Sequence, residues 1–461
     1  MNLRLLFLLI VLLTTSYSFS KNNLDKGTVP PDSTTNIIDK TTALYMLEEG
    51  KRLYSEGKVR DALNQFRAVV LKDPRSWRPV YWIGVCHYAM SNYGFAYKYA
   101  QEALKINKED IDNEVYELLG KVYHHEGKLD SAILNYEYAL SKLSPNRSKD
   151  LQIAWKIEQC KFAQIEKASG ITSKKVRLRG TVNSGFNEYA PLYSHDGTMM
   201  YFTSRRSDTK GGKANPDDQE FFEDTYKAYW NAEKLEWDSV SNNVDRVNSE
   251  GFDSFSHLSP DELSGLMTVN TSALTNKKGT NSSDIFEVVF SNKGKWSTPK
   301  RINNKTINTS FFEGSATMTA DGNTMYFVSD RNGNKKSTDI YVVQKIGKTW
   351  GEAIPLSDTV NSIESETTPF ITPDGRYLFF SSDGHLGMGG LDVFVSENLG
   401  NQWSKPVNLG IAVNSVNNDT HFKYYAALNK AVLAGYEIVG QKSSIDIYEI
   451  DMTGFEYPVV K

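Results

Sequence analysis

The strongest constraint on this chain is a unit that restarts itself between residues 187 and 456. An acid opens each restart, at Glu188, Asp253, Glu313 and Glu366, and eight residues on comes a turn signal at Asp196-Gly197, Asp261, Asp321-Gly322 or Asp374-Gly375. There follow a short apolar run such as Met200-Tyr201-Phe202 or Leu378-Phe379-Phe380, a segment beginning Asp284-Ile285-Phe286, Asp339-Ile340-Tyr341 or Asp392-Val393-Phe394, and a Trp. Short strands recurring on a period of about 50 residues predict the blades of a β-propeller, each burying its faces against its neighbours. A fifth unit, Asp419 to Ile450, keeps Asp446-Ile447-Tyr448 but has Ala427-Leu428-Asn429 in place of the turn. It also lacks the motif that ends the other units, which runs from Trp237, Trp296, Trp350 or Trp403 to Val247-Asn248, Ile307-Asn308, Val360-Asn361 or Val413-Asn414. That motif stands instead ahead of the first unit, in Val176 to Asn183. The expectation is a five-bladed β-propeller over 174–456, closed by pairing its two ends in one blade, which removes the open sheet edge.

Residues 41–168 have a different period. Gly50, Ala62, Phe66 and Pro74 are followed 34 residues later by Gly84, Ala96, Ala100 and Ala103, and the pattern returns at Leu119-Gly120, Tyr123, Gly127, Ala132, Tyr136 and Ala139. Glycine lets two helices approach, alanine packs at their crossing and proline ends the second helix. The segment resembles a tetratricopeptide repeat domain, an α-solenoid of three repeats, and a further helix from about Lys149 to Ala168 is expected to cap the stack. The resemblance implies a peptide-binding groove lined by the first helix of each repeat. Its candidate residues are Lys51, Tyr54, Arg78, Tyr81, Tyr88, Lys121, His124 and His125. Adjacent His124 and His125 point two ways on a helix and make a poor metal pair.

The N-terminus has one basic residue, Arg4, an apolar run from Leu5 to Leu13 and small residues at Ser18 and Ser20, the form of a secretory signal over 1–20. Residues 21–40, with Pro30-Pro31 among Ser, Thr, Asn and Asp, read as a linker. The apolar run is too short to span a bilayer comfortably, so no transmembrane span is expected in the mature chain. A formal net charge of -4 and the lack of a long basic run give no support for nucleic-acid binding. The two cysteines, Cys86 and Cys160, fall inside helical patterns and are expected as buried thiols.

Chemistry-bearing motifs are few. The Asp-Gly pairs are turn formers, in which Asp accepts local backbone bonds and Gly supplies positive φ. The loop Gly384-His385-Leu386-Gly387-Met388-Gly389-Gly390 has neither phosphate-loop order nor a following helix pattern, and the chain has no Gly-x-Ser-x-Gly, His-Glu-x-x-His or Cys-x-x-Cys. No metal or other cofactor is expected. The opening acids, Glu188, Asp253, Glu313, Glu366 and Asp419, share one register in all five units. Facing the channel, they would form an acidic ring able to draw a cation or a basic segment; facing inward, each would bond backbone or an arginine such as Arg205, Arg206 or Arg331. Two long inserts, Ser207 to Phe222 and Gly384 to Gly390, interrupt the otherwise regular units.

Three phrases carry a more specific resemblance: Val182-Asn183-Ser184 through Asn187-Glu188-Tyr189-Ala190-Pro191, Tyr201-Phe202-Thr203-Ser204-Arg205-Arg206, and Phe380-Ser381-Ser382-Asp383-Gly384-His385 through Gly389-Gly390-Leu391-Asp392-Val393-Phe394. With the helical repeats, they make the chain similar to the WD-type, TolB-like propeller proteins of the Bacteroidota envelope that are associated with an OmpA-like domain. The resemblance implies a secreted, periplasmic, outer-membrane-associated scaffold that binds envelope proteins and has no catalytic residues. Type IX secretion or gliding machinery is a possible address. The sequence ends at Lys461, directly after the propeller, so direct peptidoglycan binding by an OmpA-like domain is not carried over. The alternative is a five-bladed-propeller glycosidase, which needs unlike, blade-specific carboxylates in the central cavity, or a glycan-binding module.

Overall fold

The computed structural model describes residues 37–106, 112–215, 220–270, 283–332, 337–439 and 442–457. The expected signal segment and most of the expected linker lie outside them. Among the described residues eight helices come first: α1 (Ile37–Ser55), α2 (Val59–Lys72), α3 (Trp77–Ala89), α4 (Tyr93–Ile106), α5 (Glu114–His125), α6 (Leu129–Lys142), α7 (Pro145–Asp150) and α8 (Ile153–Ala168). Helix begins at Ile37, so residues 37–40 belong to α1 and not to a linker. The first six helices pack as three antiparallel pairs. The glycines of the repeat explain the close approach: a Cβ on Gly50 would stand 2.5 Å from the Phe66 ring, and one on Gly120 would stand 2.5 Å from the Tyr136 ring. In the first and third pairs an aromatic ring of the second helix therefore lies against the backbone of the first, while in the middle pair a Cβ on Gly84 would meet the Ala96 carbonyl at 3.3 Å. The expected capping helix is broken in two, because Gln152 takes a left-handed φ of 52°. Pro145 and a Ser144 hydroxyl that accepts from the Arg147 amide start the short α7.

Beyond Lys174 the chain forms five small antiparallel sheets. The four-stranded first blade shows the plan: Glu188–Tyr193 innermost, then Met199–Ser204, Asp224–Asn231 and Glu236–Ser241. In the fifth blade Lys175–Arg177 pairs antiparallel with Lys442–Asp451, Val176 opposite Glu449, so the two ends of the propeller close one sheet. The units pack in ring order, and five apolar clusters sit at the five blade junctions. The cluster between the fifth and first blades joins Val432 and Ile447 to Val182, Met200 and Phe202, which locks the ring where the chain ends meet. Every innermost strand is bulged near its middle, with Ala190, Ser315, Thr368 and His421 at positive φ. A bulge adds twist and bends the strand, here where five strands converge on the axis.

Candidate functional site

The eight candidate groove residues do not share one open surface. Lys51 and Arg78 sit where the first two repeats meet solvent: the Lys51 amine lies 6.0 Å from the ring centroid of Trp82, and the Arg78 guanidinium lies 4.8 Å from that of Trp77. Tyr54 meets Trp82 edge-on at 5.5 Å, and Trp82 in turn stacks on Phe66. Trp82 is half-buried in this cluster and was missed from sequence, where it reads as one more apolar residue of α3. Farther along, Tyr81 is buried and donates to Glu114, which also holds Arg147 through two hydrogen bonds. Lys121 lies over the Tyr88 ring at 4.4 Å and pairs with Glu117, which Lys156 of α8 also holds, at 2.5 Å. Burial would raise the Glu117 carboxyl, but the two lysines outweigh it and hold it below the ordinary range.

His124 and His125 are not groove residues at all, because the propeller covers them. His124 Nε2 donates to the Met388 carbonyl at 2.8 Å. His125 Nδ1 donates to Asn417 Oδ1, which fixes the tautomer and leaves Nε2 to accept from the Tyr88 hydroxyl at 2.8 Å. Both imidazoles are neutral there, since burial lowers the His124 pKa and pushes that of His125 down to about 4. The Gly384 to Gly390 insert forms the peg of this joint. Met388, 1% exposed, joins a cluster with Ile153, Ile157 and Ala163 of α8, and Val416 and Ile411 pack beside it. Around it Gln159 donates to the Gly389 carbonyl and the Ile411 amide donates to Glu166, both at 2.8 Å, while Gln152 donates to Glu364. At the other end of the contact, Ser443 donates to the Ser91 carbonyl at 2.9 Å. Helix α8 therefore serves as the helical half of an interdomain joint, not as a free cap.

The five acids do not form an open ring. All are 0% exposed, and each closes the short loop that brings the chain into its blade from the one before. Glu188 accepts from the amide and hydroxyl of Ser184, and the same pair of bonds joins Asp253 to Ser249, Glu313 to Thr309, Glu366 to Ser362 and Asp419 to Ser415. The acid thus latches the residue just after each Val-Asn or Ile-Asn. Arg206 and Arg331 supply the counter-charge to Glu188 and Glu313, both at 3.2 Å, and Lys175 supplies it to Asp419 at 2.5 Å. Arg205 pairs with Glu220 instead. Burial raises the carboxyls of Asp253 and Glu366 to about 7, beyond what their hydroxyl and amide donors offset. Among the described residues no cluster of three or more His, Cys, Asp or Glu could hold a metal ion. Cys86 and Cys160 are separate buried thiols, each pushed up to about 12 by burial.

No protein-family model matches the chain, and no curated protein matches it. The two halves find separate likenesses among solved structures. The type III secretion translocator chaperone SycD of Yersinia enterocolitica is 19% identical over 28% of this chain and 98% of its own, with a TM-score of 0.26. TolB from Acinetobacter baumannii is 15% identical over 65% of this chain and 69% of its own, with a TM-score of 0.33. The first tetratricopeptide domain of Spaghetti (RPAP3), solved with an HSP90 peptide, is 19% identical over 24% of this chain and 91% of its own, with a TM-score of 0.21. These are likenesses of fold: tetratricopeptide-like for the helices and TolB-like for the propeller. No helix among the described residues is long and apolar enough to cross a membrane.

Proposed function

We propose that this protein is a secreted, non-enzymatic adaptor of the bacterial cell envelope, periplasmic and outer-membrane associated, of the TolB-like kind associated with OmpA domains in the Bacteroidota. In this reading it holds an envelope partner on its first two repeats and presents the propeller in fixed orientation to it. The observation that carries the reading is the division of the groove: the third repeat is sealed by the propeller, while Lys51, Tyr54, Arg78 and Trp82 remain on the outer repeats. That cluster suits an extended segment offering a carboxylate to Lys51 or Arg78 and an apolar side chain to Tyr54 and Trp82. A secretion or gliding assembly, such as the type IX system, is the address we propose for the partner. In-cell crosslinking from positions 51 and 78, with position 124 as the buried control, tests this by mass spectrometry. Envelope proteins captured at the first two positions and lost in a Lys51→Glu/Arg78→Glu variant are expected. Capture of none, or equal capture from 124, would sink it.

A further inference from the structure

The innermost strands carry one side chain each at the first paired position after the bulge: Leu192, His257, Thr317, Phe370 and Lys423. The architecture repeats fivefold, but this register does not. Leu192, His257, Phe370 and Lys423 all line a funnel of about 390 Å³ that opens at the end of the propeller carrying the Asp-Gly turns. Its wall is otherwise mostly apolar and aromatic, with Tyr424, Tyr425 and Leu428 above the floor. Lys423 is 6% exposed, and its amine makes a single hydrogen bond, to the Ser256 carbonyl at 3.2 Å, and lies 5.4 Å from the Phe370 ring centroid. No carboxylate among the described residues pairs with it. His257 Nε2 is buried without a hydrogen-bond partner. Asp374, the one acid of the funnel wall among the described residues, is occupied in its own turn by Thr372 Oγ1 and the Arg376 amide.

A buried amine with no counter-ion and a buried ring nitrogen with no partner are both costly to leave unsatisfied. A ligand that satisfies them must bring negative charge or acceptors to the floor and apolar surface to the walls. One amine and one imidazole, without arginine, match the single charge of a carboxylate better than the double charge of a phosphate. The few polar groups along the wall argue against a sugar. We propose that the axial funnel binds a small apolar monocarboxylate, its head group paired with Lys423 and His257 and its body among Phe370, Tyr424 and Tyr425. Burial holds the free Lys423 amine down to about 7, so a bound carboxylate draws a proton onto it at alkaline pH.

Titration calorimetry of the whole chain with octanoate and octan-1-ol, at about pH 8 in two buffers of different ionisation heat, tests the assignment. Octanoate is expected to bind with uptake of one proton and octanol roughly tenfold more weakly or worse. Lys423→Met is expected to lose both the octanoate affinity and the proton uptake, while melting at a higher temperature because a desolvated amine is gone. On the unmodified chain, octanoate is expected to shield Lys423 from trinitrobenzenesulfonate, read by peptide mass, a measurement that does not depend on the variant folding. Equal binding of acid and alcohol, full octanoate affinity in Lys423→Met, unchanged labelling, or no binding at millimolar octanoate overturns the proposal.

Discussion

A side-chain amide performs the work of a missing strand edge in every blade. Asn308 accepts from the Ile285 amide at 2.7 Å and donates to the carbonyls of Ile285 and Ile302 at 2.8 and 2.9 Å. Asn183, Asn248, Asn361 and Asn414 make the same pair of bonds to Ile447, Thr225, Ile340 and Val393. The Asn that ends each unit and the residue after the Asp of its third strand are therefore one fastening, with the latching acid five residues farther on. Replacing Asn308 by Ala strands buried backbone groups and is expected to cost about 2–4 kcal/mol, read by chemical denaturation. An exposed control such as Asn323→Ala should cost under about 0.5 kcal/mol. Repetition made these residues legible as architecture, and it was the same repetition that hid Lys423. Counted from Asp419, it occupies the place of Leu192 and Phe370, and only the bulge and the ring geometry turn that place into the floor of a cavity.

Among the elements, the fourth-blade insert changed most in meaning. Its glycines suggested a loop without phosphate-binding order, and the structure shows what they permit: a Cβ on Gly389 would run into the Val416 carbonyl, and one on Gly387 into the Asp392 carboxylate. The loop must fold this closely for Met388 to project into α8. Gly389→Ala is therefore expected to displace the peg, and Met388→Ala to remove roughly 1.5–3 kcal/mol of apolar burial from the joint. Both variants should undock the helices while the propeller stays folded. Limited proteolysis in the exposed segment from residue 169 to 174 measures this: faster cleavage there, with intact propeller fragments, is expected, and wild-type cleavage rates would count against the peg. Helix α8 was legible as a helix with an apolar stripe, but nothing in that stripe says that part of it faces another domain.

For the whole molecule, the joint makes the arrangement of the two halves pH-sensitive. Burial lowers the folded pKa of both His124 and His125, so the stability they contribute is full above about 6.5 and falls with pH, that of His125 being lost as pH falls through about 4. Lys156 and Lys167 lie near His124 and Lys121 near His125, and their positive charges add to the cost of protonating the imidazoles; the Glu117 carboxylate pairs with Lys121 and Lys156, and that of Glu166 accepts from the Ile411 amide. In the propeller, Asp253 and Glu366 have the opposite sign. Their raised values mean that acidification to about 4 favours the folded latches, which offsets the buried His257 and His421. Small-angle scattering between pH 7 and pH 4.5 is expected to show an increase in the radius of gyration with propeller secondary structure retained, and a His124→Gln/His125→Gln variant should lose that dependence. A constant radius down to pH 4 would refute the joint as the sensitive element.

The sequence by itself determined the two architectures, the count of five blades and their closure by Val176, because hydrophobic period, turn residues and Gly–aromatic packing act locally and repeat. It also determined that the five acids are equivalent. Which way those acids faced, which groove residues stayed open and where an unpaired lysine came to rest were decided only by tertiary structure. Those properties depend on surfaces brought together from positions such as 124 and 388, or 256 and 423, which no local pattern links. Repeats specify how a unit packs on its copy; the contacts that break the repeat arise only once the ring is closed and the helices are docked on it.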